Sequence, residues 1–149
     1  MIYERRHTRE IKDFGGIAKV MTLFAVALMI MTLSSIALPG TNGFIGEFMI
    51  LLGTWTTHRP SAVIAALGVI FGAVYMLLMF QKVMFGEVTQ PENKVLKDLT
   101  VREKIVLAPL IFAVFFMGIY PNFFFGKMEP SLQKFLSRFQ TQVAQVKYE

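Results

Sequence analysis

The sequence of 149 residues contains no cysteine, so disulfide bonds and cysteine-based metal or redox centres are excluded within the chain. Histidine is scarce as well: His7 and His58 stand alone, and no cluster of carboxylates supplies further metal ligands. The N-terminus lacks the apolar segment of a signal peptide and resembles a loop from inside a longer protein. The sequence therefore predicts no metal site and no cofactor-binding site in this chain.

Charged residues are also few and unevenly distributed. They make up 17% of the chain, compared with about a quarter of a soluble domain, and 54% of the residues are hydrophobic. Between Val20 and Gln81 the only charged residues are Glu47 and Arg59. The positive residues behind the net charge of +5 lie at the ends of apolar runs, which favours membrane topology over nucleic-acid binding. We therefore expect an all-α, multi-pass transmembrane helix bundle in contact with the lipid bilayer.

The order of apolar and polar stretches predicts six segments. They are a polar, solvated loop over 1–17, a broken transmembrane helix over 18–57, a transmembrane helix over 61–82, a polar loop over 83–104, a transmembrane helix over 105–125, and an amphipathic C-terminal tail over 126–149. The apolar residues of the tail fall at helical spacing, namely Leu132, Phe135, Leu136, Phe139, Val143 and Val146. Such a helix could lie on the membrane or on a partner subunit.

The break in the first of these helices is predicted at residues 39–43. Its residues are Pro39, Gly40, Thr41, Asn42 and Gly43. Proline removes a backbone donor and glycine leaves the helical conformation easily, so a helix that arrives at Leu38 should stop there. Thr41 or Asn42 could then cap a second helix. In the helix over 61–82, Gly68, Gly72 and Ala73 share one face, which predicts a closely packed neighbouring helix.

Two membrane topologies are compatible with the pattern. Residues 18–57 could form a single broken crossing, or a full crossing followed by a short second or re-entrant segment. The positive-inside rule does not choose between them, because both topologies place ten lysines and arginines on one side of the membrane and five on the other.

Glu47 is the candidate functional residue. It is the only acidic residue between Asp13 and Glu87, and it lies one turn beyond the break. A carboxylate beside a helix broken at membrane depth is typical of proteins that move protons or ions. The alternative is a structural acid that pairs with a cation on another helix. Arg59 is about 18 Å farther along a helix, so such a cation would come from outside this chain.

Four sequence segments carry a resemblance to a known family: YERRHTR at 3–9, ALPGT at 37–41, GFIGEFMIL at 43–51 and VMFG at 83–86. Over nearly its whole length the chain resembles the C-terminal part of subunit M (chain 4 type), an antiporter-like membrane subunit of NADH–quinone oxidoreductase, which is respiratory complex I. The resemblance implies that residues 18–57 form one discontinuous helix that closes a half-channel, with residues 1–17 as a cytoplasmic loop. It also implies that Glu47 is the proton-carrying acid at the outlet. Related antiporter-like subunits typically carry lysine at that position.

The resemblance further implies proton translocation that is coupled to quinone reduction elsewhere in the complex, with no redox centre in this chain. The flavin, iron–sulfur clusters and quinone are expected in partner subunits, and the partners include other membrane subunits of complex I and antiporter-like neighbours. The implied location is the bacterial plasma (inner) membrane. The alternatives are a subunit of a multisubunit cation/proton antiporter or membrane-bound hydrogenase, and a structural membrane module from a truncated gene.

Overall fold

The chain is mainly helical in the computed structural model, which describes the backbone of residues 1–147 and the side chains of residues 1–139. The α-helices are α1 (Ile2–Arg6), α2 (Ile17–Val20), α3 (Thr22–Ser35), α4 (Asn42–Thr57), α5 (Arg59–Met84), α6 (Val101–Ile119) and α7 (Asn122–Lys147). Single 3₁₀ turns occur at Ile11–Asp13 and Pro91–Asn93. No strand occurs within residues 1–147, which confirms the all-α prediction.

The helix α5 runs antiparallel to the chain that precedes it. A buried core joins its last turns to α2 and the start of α3, and consists of Ile17, Met21, Ala25, Phe80, Val83 and Met84. Since α5 follows α4 directly and ends beside α2, the segments α2 to α4 together cover the distance that α5 covers alone. That distance is about 39 Å for 26 residues, enough for one crossing of a hydrocarbon layer about 30 Å thick.

The surface of α5 is apolar and largely uncovered. Its most apolar 18-residue window has a mean hydropathy of 2.5, and only 6% of that window is buried. Of the described helices, α5 alone is long and apolar enough to span a membrane, while α6 and α7 qualify only as a bent pair. A soluble protein would bury such a helix in its core, so this outward apolar surface is typical of contact with lipid or with another protein.

The face of α5 that carries Gly68, Gly72 and Ala73 is open. A Cβ atom added to Gly68 would have no heavy atom within 4 Å, and one added to Gly72 would meet only the ring of Tyr75 in the same helix. Within the described residues no neighbouring helix contacts these two glycine positions, so the packing partner expected for this face stays a prediction. These small residues border a cleft instead.

The corner between α6 and α7 differs from the predicted span over 105–125. The helix α6 ends at Ile119, and α7 leaves it at an angle of 69°. The ring of Phe116 contacts the rings of Tyr120, Phe123 and Phe124 at centroid distances of 5.7–6.0 Å, and this cluster holds the corner. Residues 122–125 consequently belong to the same helix as the predicted tail rather than to α6.

The tail helix begins at Asn122, four residues before the predicted tail. Four of its predicted apolar residues are exposed, namely Leu132, Phe135, Leu136 and Phe139. The side chains of Val143 and Val146 and residues 148–149 lie outside the described residues.

Only the end of the N-terminal segment departs from the solvated loop predicted over residues 1–17: residues 15–17 are buried, whereas residues 1–14 are exposed or half-buried. The backbone N–H of Gly16 donates a 3.0 Å hydrogen bond to the carbonyl of Phe85. Gly16 has a φ of +65°, and a Cβ there would overlap the backbone of Val88, so only glycine fits. The predicted loop over 83–104 is also shorter than expected, because residues 83–84 end α5 and residues 101–104 form the first turn of α6.

Candidate functional site: the helix break and Glu47

The helix α3 ends three residues earlier than predicted, in a Schellman motif. The N–H of Leu38 donates to the carbonyl of Leu33 at 3.0 Å, and the N–H of Ala37 donates to the carbonyl of Ser34 at 3.3 Å. Ala37 has a φ of +59°, the left-handed conformation that glycine usually supplies at this position. The interruption thus covers residues 36–41, whereas the predicted break was 39–43.

Residues at the end of the break take different roles from those predicted. Thr41 occupies the N-cap position of α4, but its hydroxyl donates to the carbonyl of Leu38 at 2.7 Å and does not cap the helix. Asn42 is the first helical residue, and its side-chain oxygen accepts a 2.6 Å hydrogen bond from the hydroxyl of Ser34. The prediction of a side-chain cap from Thr41 or Asn42 is therefore wrong. Asn42 instead links the two half-helices.

Pro39 and Gly40 form the turn between the half-helices, as predicted. Gly40 has a φ of +91°, which favours glycine strongly. Neighbouring backbone also approaches this region closely: a Cβ at Gly43 would overlap the carbonyl oxygen of Ser34, and one at Gly118 of α6 would overlap the carbonyl oxygen of Gly40. Gly118 was not among the predicted residues, because a glycine in an apolar run carries no signal of its contact.

Glu47 lies in the second turn of α4 and is half-buried. Its Oε2 atom is inaccessible to solvent and has no hydrogen-bond partner, and Glu47 forms no ion pair within the part of the chain whose side chains are described. A buried carboxylate oxygen without a partner is unfavourable, whether the group is charged or neutral. The arrangement indicates that its partner is water, a proton or a side chain from elsewhere.

A cleft of about 450 Å³ opens beside Glu47. One wall is the small-residue face of α5, and the other wall is formed by Glu47 with the end of α3; the lining residues include Ser35, Ile36, Gly68, Gly72 and Tyr75. A space of this size holds several water molecules, and hydroxyl and carboxyl groups border it. The break, Glu47 and the small residues of α5, which the sequence indicated separately, therefore meet at one place.

A second cluster of polar and charged side chains lies at the end of the bundle opposite the turn between α4 and α5. Both guanidinium nitrogens of Arg5 donate to the carboxylate of Glu103, at 2.8 and 2.7 Å. This side-chain hydrogen bonding, together with the N–H of Thr100, lowers the pKa of Glu103 to about 2. Arg6 forms a second ion pair with Glu92. These contacts tie the N-terminal segment to the start of α6, outside the apolar spans.

Asp98 caps the start of α3 from a distant part of the chain. Its carboxylate accepts hydrogen bonds from the N–H groups of Leu23 at 2.8 Å and Phe24 at 3.1 Å. Desolvation is the largest influence on its pKa and raises it, but the backbone N–H groups of Leu23, Leu99 and Phe24 together outweigh desolvation and lower the pKa. The carboxylate of Asp98 thus accepts hydrogen bonds from free N–H groups at the start of a helix that lies 75 residues away in the chain. A contact over this sequence separation cannot be recognised from the local sequence.

No group of three or more histidine, cysteine, aspartate or glutamate side chains that could hold a metal occurs within the described residues.

Comparison with known proteins gives consistent matches. A family described as the NADH:quinone oxidoreductase/Mrp antiporter transmembrane family matches residues 1–74. NADH-quinone oxidoreductase subunit M of Rickettsia prowazekii is 46% identical over 138 residues, which cover 93% of this chain and 28% of that protein. NADH-ubiquinone oxidoreductase chain 4 of Marchantia polymorpha is 40% identical over 133 residues, which cover 88% of this chain and 26% of that protein.

A solved structure agrees with these relatives. One chain of respiratory complex I from Thermus thermophilus with bound NADH superposes with a TM-score of 0.80 at 34% identity, covering 87% of this chain and 27% of that chain. The present chain therefore spans somewhat more than a quarter of the length of the proteins it matches.

Proposed function

We propose that this chain belongs to the NADH:quinone oxidoreductase/Mrp antiporter transmembrane family, which its relatives support, and that it forms part of an antiporter-like membrane subunit of a proton-translocating NADH–quinone oxidoreductase. In this role it contributes part of a proton channel, and other subunits reduce quinone. The observation that carries the proposal is the solvent-inaccessible, unpartnered Oε2 atom of Glu47, which lies beside a helix break and a cleft.

Glu47 is the proposed proton carrier. In its protonated form the carboxyl group is neutral and compatible with an apolar surrounding, and in its ionised form it needs water or a cation close by. The cleft has room for that water, and no lysine or arginine among the described side chains lines the cleft beside Glu47. We infer that the partner cation comes from a segment of the longer subunit that this chain does not include.

The proposed topology is a single broken crossing over α2 to α4. The helices α3 and α4 have 14 and 16 residues, or about 21 and 24 Å, so neither crosses about 30 Å of hydrocarbon alone. The return of α5 from the end of α4 to the side of α2 supports one crossing for the whole segment. The N-terminal segment then lies on the cytoplasmic side and the turn between α4 and α5 on the opposite side.

The proposed partners are the other membrane subunits of complex I, including antiporter-like neighbours, and the lipid around them. The flavin, iron–sulfur clusters and quinone belong to partner subunits in this proposal. The proposed location is the plasma membrane of a bacterium. Purification of the tagged chain in mild detergent tests the assembly: flavin- and iron–sulfur-containing subunits should travel with it. Isolation of the chain with antiporter subunits alone would contradict the respiratory assignment.

A second candidate function is a subunit of a cation/proton antiporter without a redox link. The family description includes such antiporters, which favours this candidate to a limited extent. The relatives named above are all oxidoreductase subunits, and they favour the respiratory assignment.

The test of the proton-carrying role is Glu47→Gln in the complete complex. Glutamine keeps the size and hydrogen-bonding shape of protonated glutamate but cannot release a proton. NADH-driven proton pumping in membrane vesicles should fall to background, with the subunit still present in the assembled complex. Glu87→Gln, an exposed acid at the end of α5, is the matched control and should pump normally. Normal pumping by Glu47→Gln would contradict the proposal.

A further inference from the structure

His58 occupies the turn between α4 and α5, at the end of the bundle opposite the N-terminal segment. Its Nδ1 atom accepts the backbone N–H of Ser61 at 3.3 Å and lies 2.8 Å from the hydroxyl of Ser61. The imidazole is exposed, and its Nε2 atom has no hydrogen-bond partner among the described side chains. One nitrogen of the ring thus faces a hydroxyl while the other is open to solvent.

The helix α4 places His58 in line with Glu47. Thr54 and His58 follow Glu47 by seven and eleven residues, and at 3.6 residues per turn all three lie along one side of the helix. The distance from Glu47 to His58 along the axis is about 16 Å. The acid at the break and the imidazole at the turn are therefore the two ends of one helix face.

Ser61 lies on α5, on the helix face that borders the cleft beside Glu47. Ala65 and Gly68 follow Ser61 by four and seven residues, so the three share one face of α5. Ala65 and Gly68 line the cleft beside Glu47, and Ser61 lies one turn nearer the α4–α5 turn. Ser61 is thus the next residue along this face from the cleft towards His58.

The composition of this region singles out His58 as an acid–base group. Residues 48–86 contain no aspartate or glutamate, so the imidazole of His58 is the group beside Ser61 that can accept a proton at one ring nitrogen and donate one from the other. Arg59, the nearest charge on α5, is held over the ring of Trp55 at 5.7 Å. The charged residues of α6, which packs against α4, lie in its first turn at the far end of the bundle.

We propose that Ser61 and His58 form the exit of the proton route that begins at Glu47, a proposal that rests on the function proposed above. Glu47 gives its proton to water in the cleft and becomes a carboxylate. The hydroxyl of Ser61 accepts that proton from water and passes its own hydrogen to Nδ1 of His58, which gives an imidazolium. The imidazolium releases the proton on Nε2 to solvent, and proton exchange with solvent restores the starting tautomer.

The test variant is His58→Asn in the complete complex. Asparagine is a preferred N-cap, so this variant keeps an acceptor for the N–H of Ser61 and preserves the start of α5, but it cannot carry a proton. Purified complex is placed in proteoliposomes, and NADH is added outside so that protons are released into the lumen. The rate at which membrane potential forms should fall by about tenfold or more, within the range for loss of a proton-transfer group.

Chemical rescue separates proton transfer from a structural role. A morpholine sulfonate buffer trapped in the lumen supplies a substitute proton acceptor, and it should restore most of the rate of His58→Asn. Ser61→Ala should also slow potential formation, while Thr57→Ala, whose hydroxyl bonds only within α4, should not.

The outcomes distinguish this inference from the proposed function. A wild-type rate for His58→Asn, or a slow rate that the trapped buffer does not restore, would overturn the role of His58 as the exit, whatever Glu47 does. Normal pumping by Glu47→Gln would instead remove the proposed function on which the inference rests.

Discussion

The hydroxyl of Ser34 donates a 2.6 Å hydrogen bond to the side-chain oxygen of Asn42. Ser34 is in the last turn of α3 and Asn42 is the first residue of α4, so this bond joins the two half-helices across the interruption. It fixes the start of α4 and hence the position of Glu47, which lies five residues farther along the same helix.

Ser34→Ala should destabilise the break. The substitution leaves the side-chain oxygen of the half-buried Asn42 without its donor, which costs about 1–3 kcal/mol when no water replaces it. The melting temperature of the assembled complex should fall. Ser35→Ala is the control, because Ser35 is exposed and its hydroxyl bonds only to the carbonyl of Thr32 in the same helix. Equal effects of the two substitutions would contradict a specific role for the bond.

Gly43 and Gly46 should respond in opposite ways to substitution by alanine. A Cβ at Gly43 would overlap the carbonyl oxygen of Ser34, whereas a Cβ at Gly46 has no heavy atom within 4 Å. Gly43→Ala should therefore destabilise by about 2 kcal/mol or more, because α4 must move away from α3. Gly46→Ala should stabilise by about 0.5–1 kcal/mol, because alanine is the better helix former.

The melting temperatures of these two variants provide the measurement, with each variant assembled in the complex. A tolerated alanine at position 43 would mean that the close contact between the half-helices does not hold α4 in place.

The ion pair of Arg5 and Glu103 should make stability depend on pH below neutrality. The pKa of Glu103 falls from its usual 4.5 to about 2 in the folded chain, chiefly through the side-chain hydrogen bonds from Arg5. A carboxyl group with a lowered folded-state pKa stabilises the fold above its unfolded pKa, and this stabilisation is lost as pH falls from 4.5 to about 2. Arg5→Gln should therefore reduce the loss of thermal stability over that window.

Arg9→Gln is the matched control for this prediction. Arg9 lies over the ring of Tyr3 at 4.8 Å, so its removal should leave the pH dependence of the melting temperature as in the wild type. If Arg5→Gln and the wild type lost stability in parallel as the solution became more acidic, the ion pair would not be the cause of the lowered pKa.

The sequence predicted the break and the candidate acid because their signals are local. Pro39 and Gly40 interrupt a helix through their own backbone properties, and Glu47 is conspicuous in a long apolar stretch. The end of α3 was misplaced because the Schellman motif starts at Ala37, a residue that rarely takes the left-handed conformation. The small residues of α5 were detected, but the sequence could not say whether a helix or open space faces them.

The sequence by itself determined the apolar character and the order of the helices, the resemblance to a family and the position of the lone acid, because hydrophobicity and helix propensity act over neighbouring residues. Only the tertiary structure placed the carboxylate of Asp98 on the start of α3, Arg5 against Glu103, and Gly118 against the turn at Gly40. These pairs are separated by 75 or more residues, and their energies exist only after the chain has brought them together. For the same reason the cleft beside Glu47 became visible only once α5 had folded back along the broken helix.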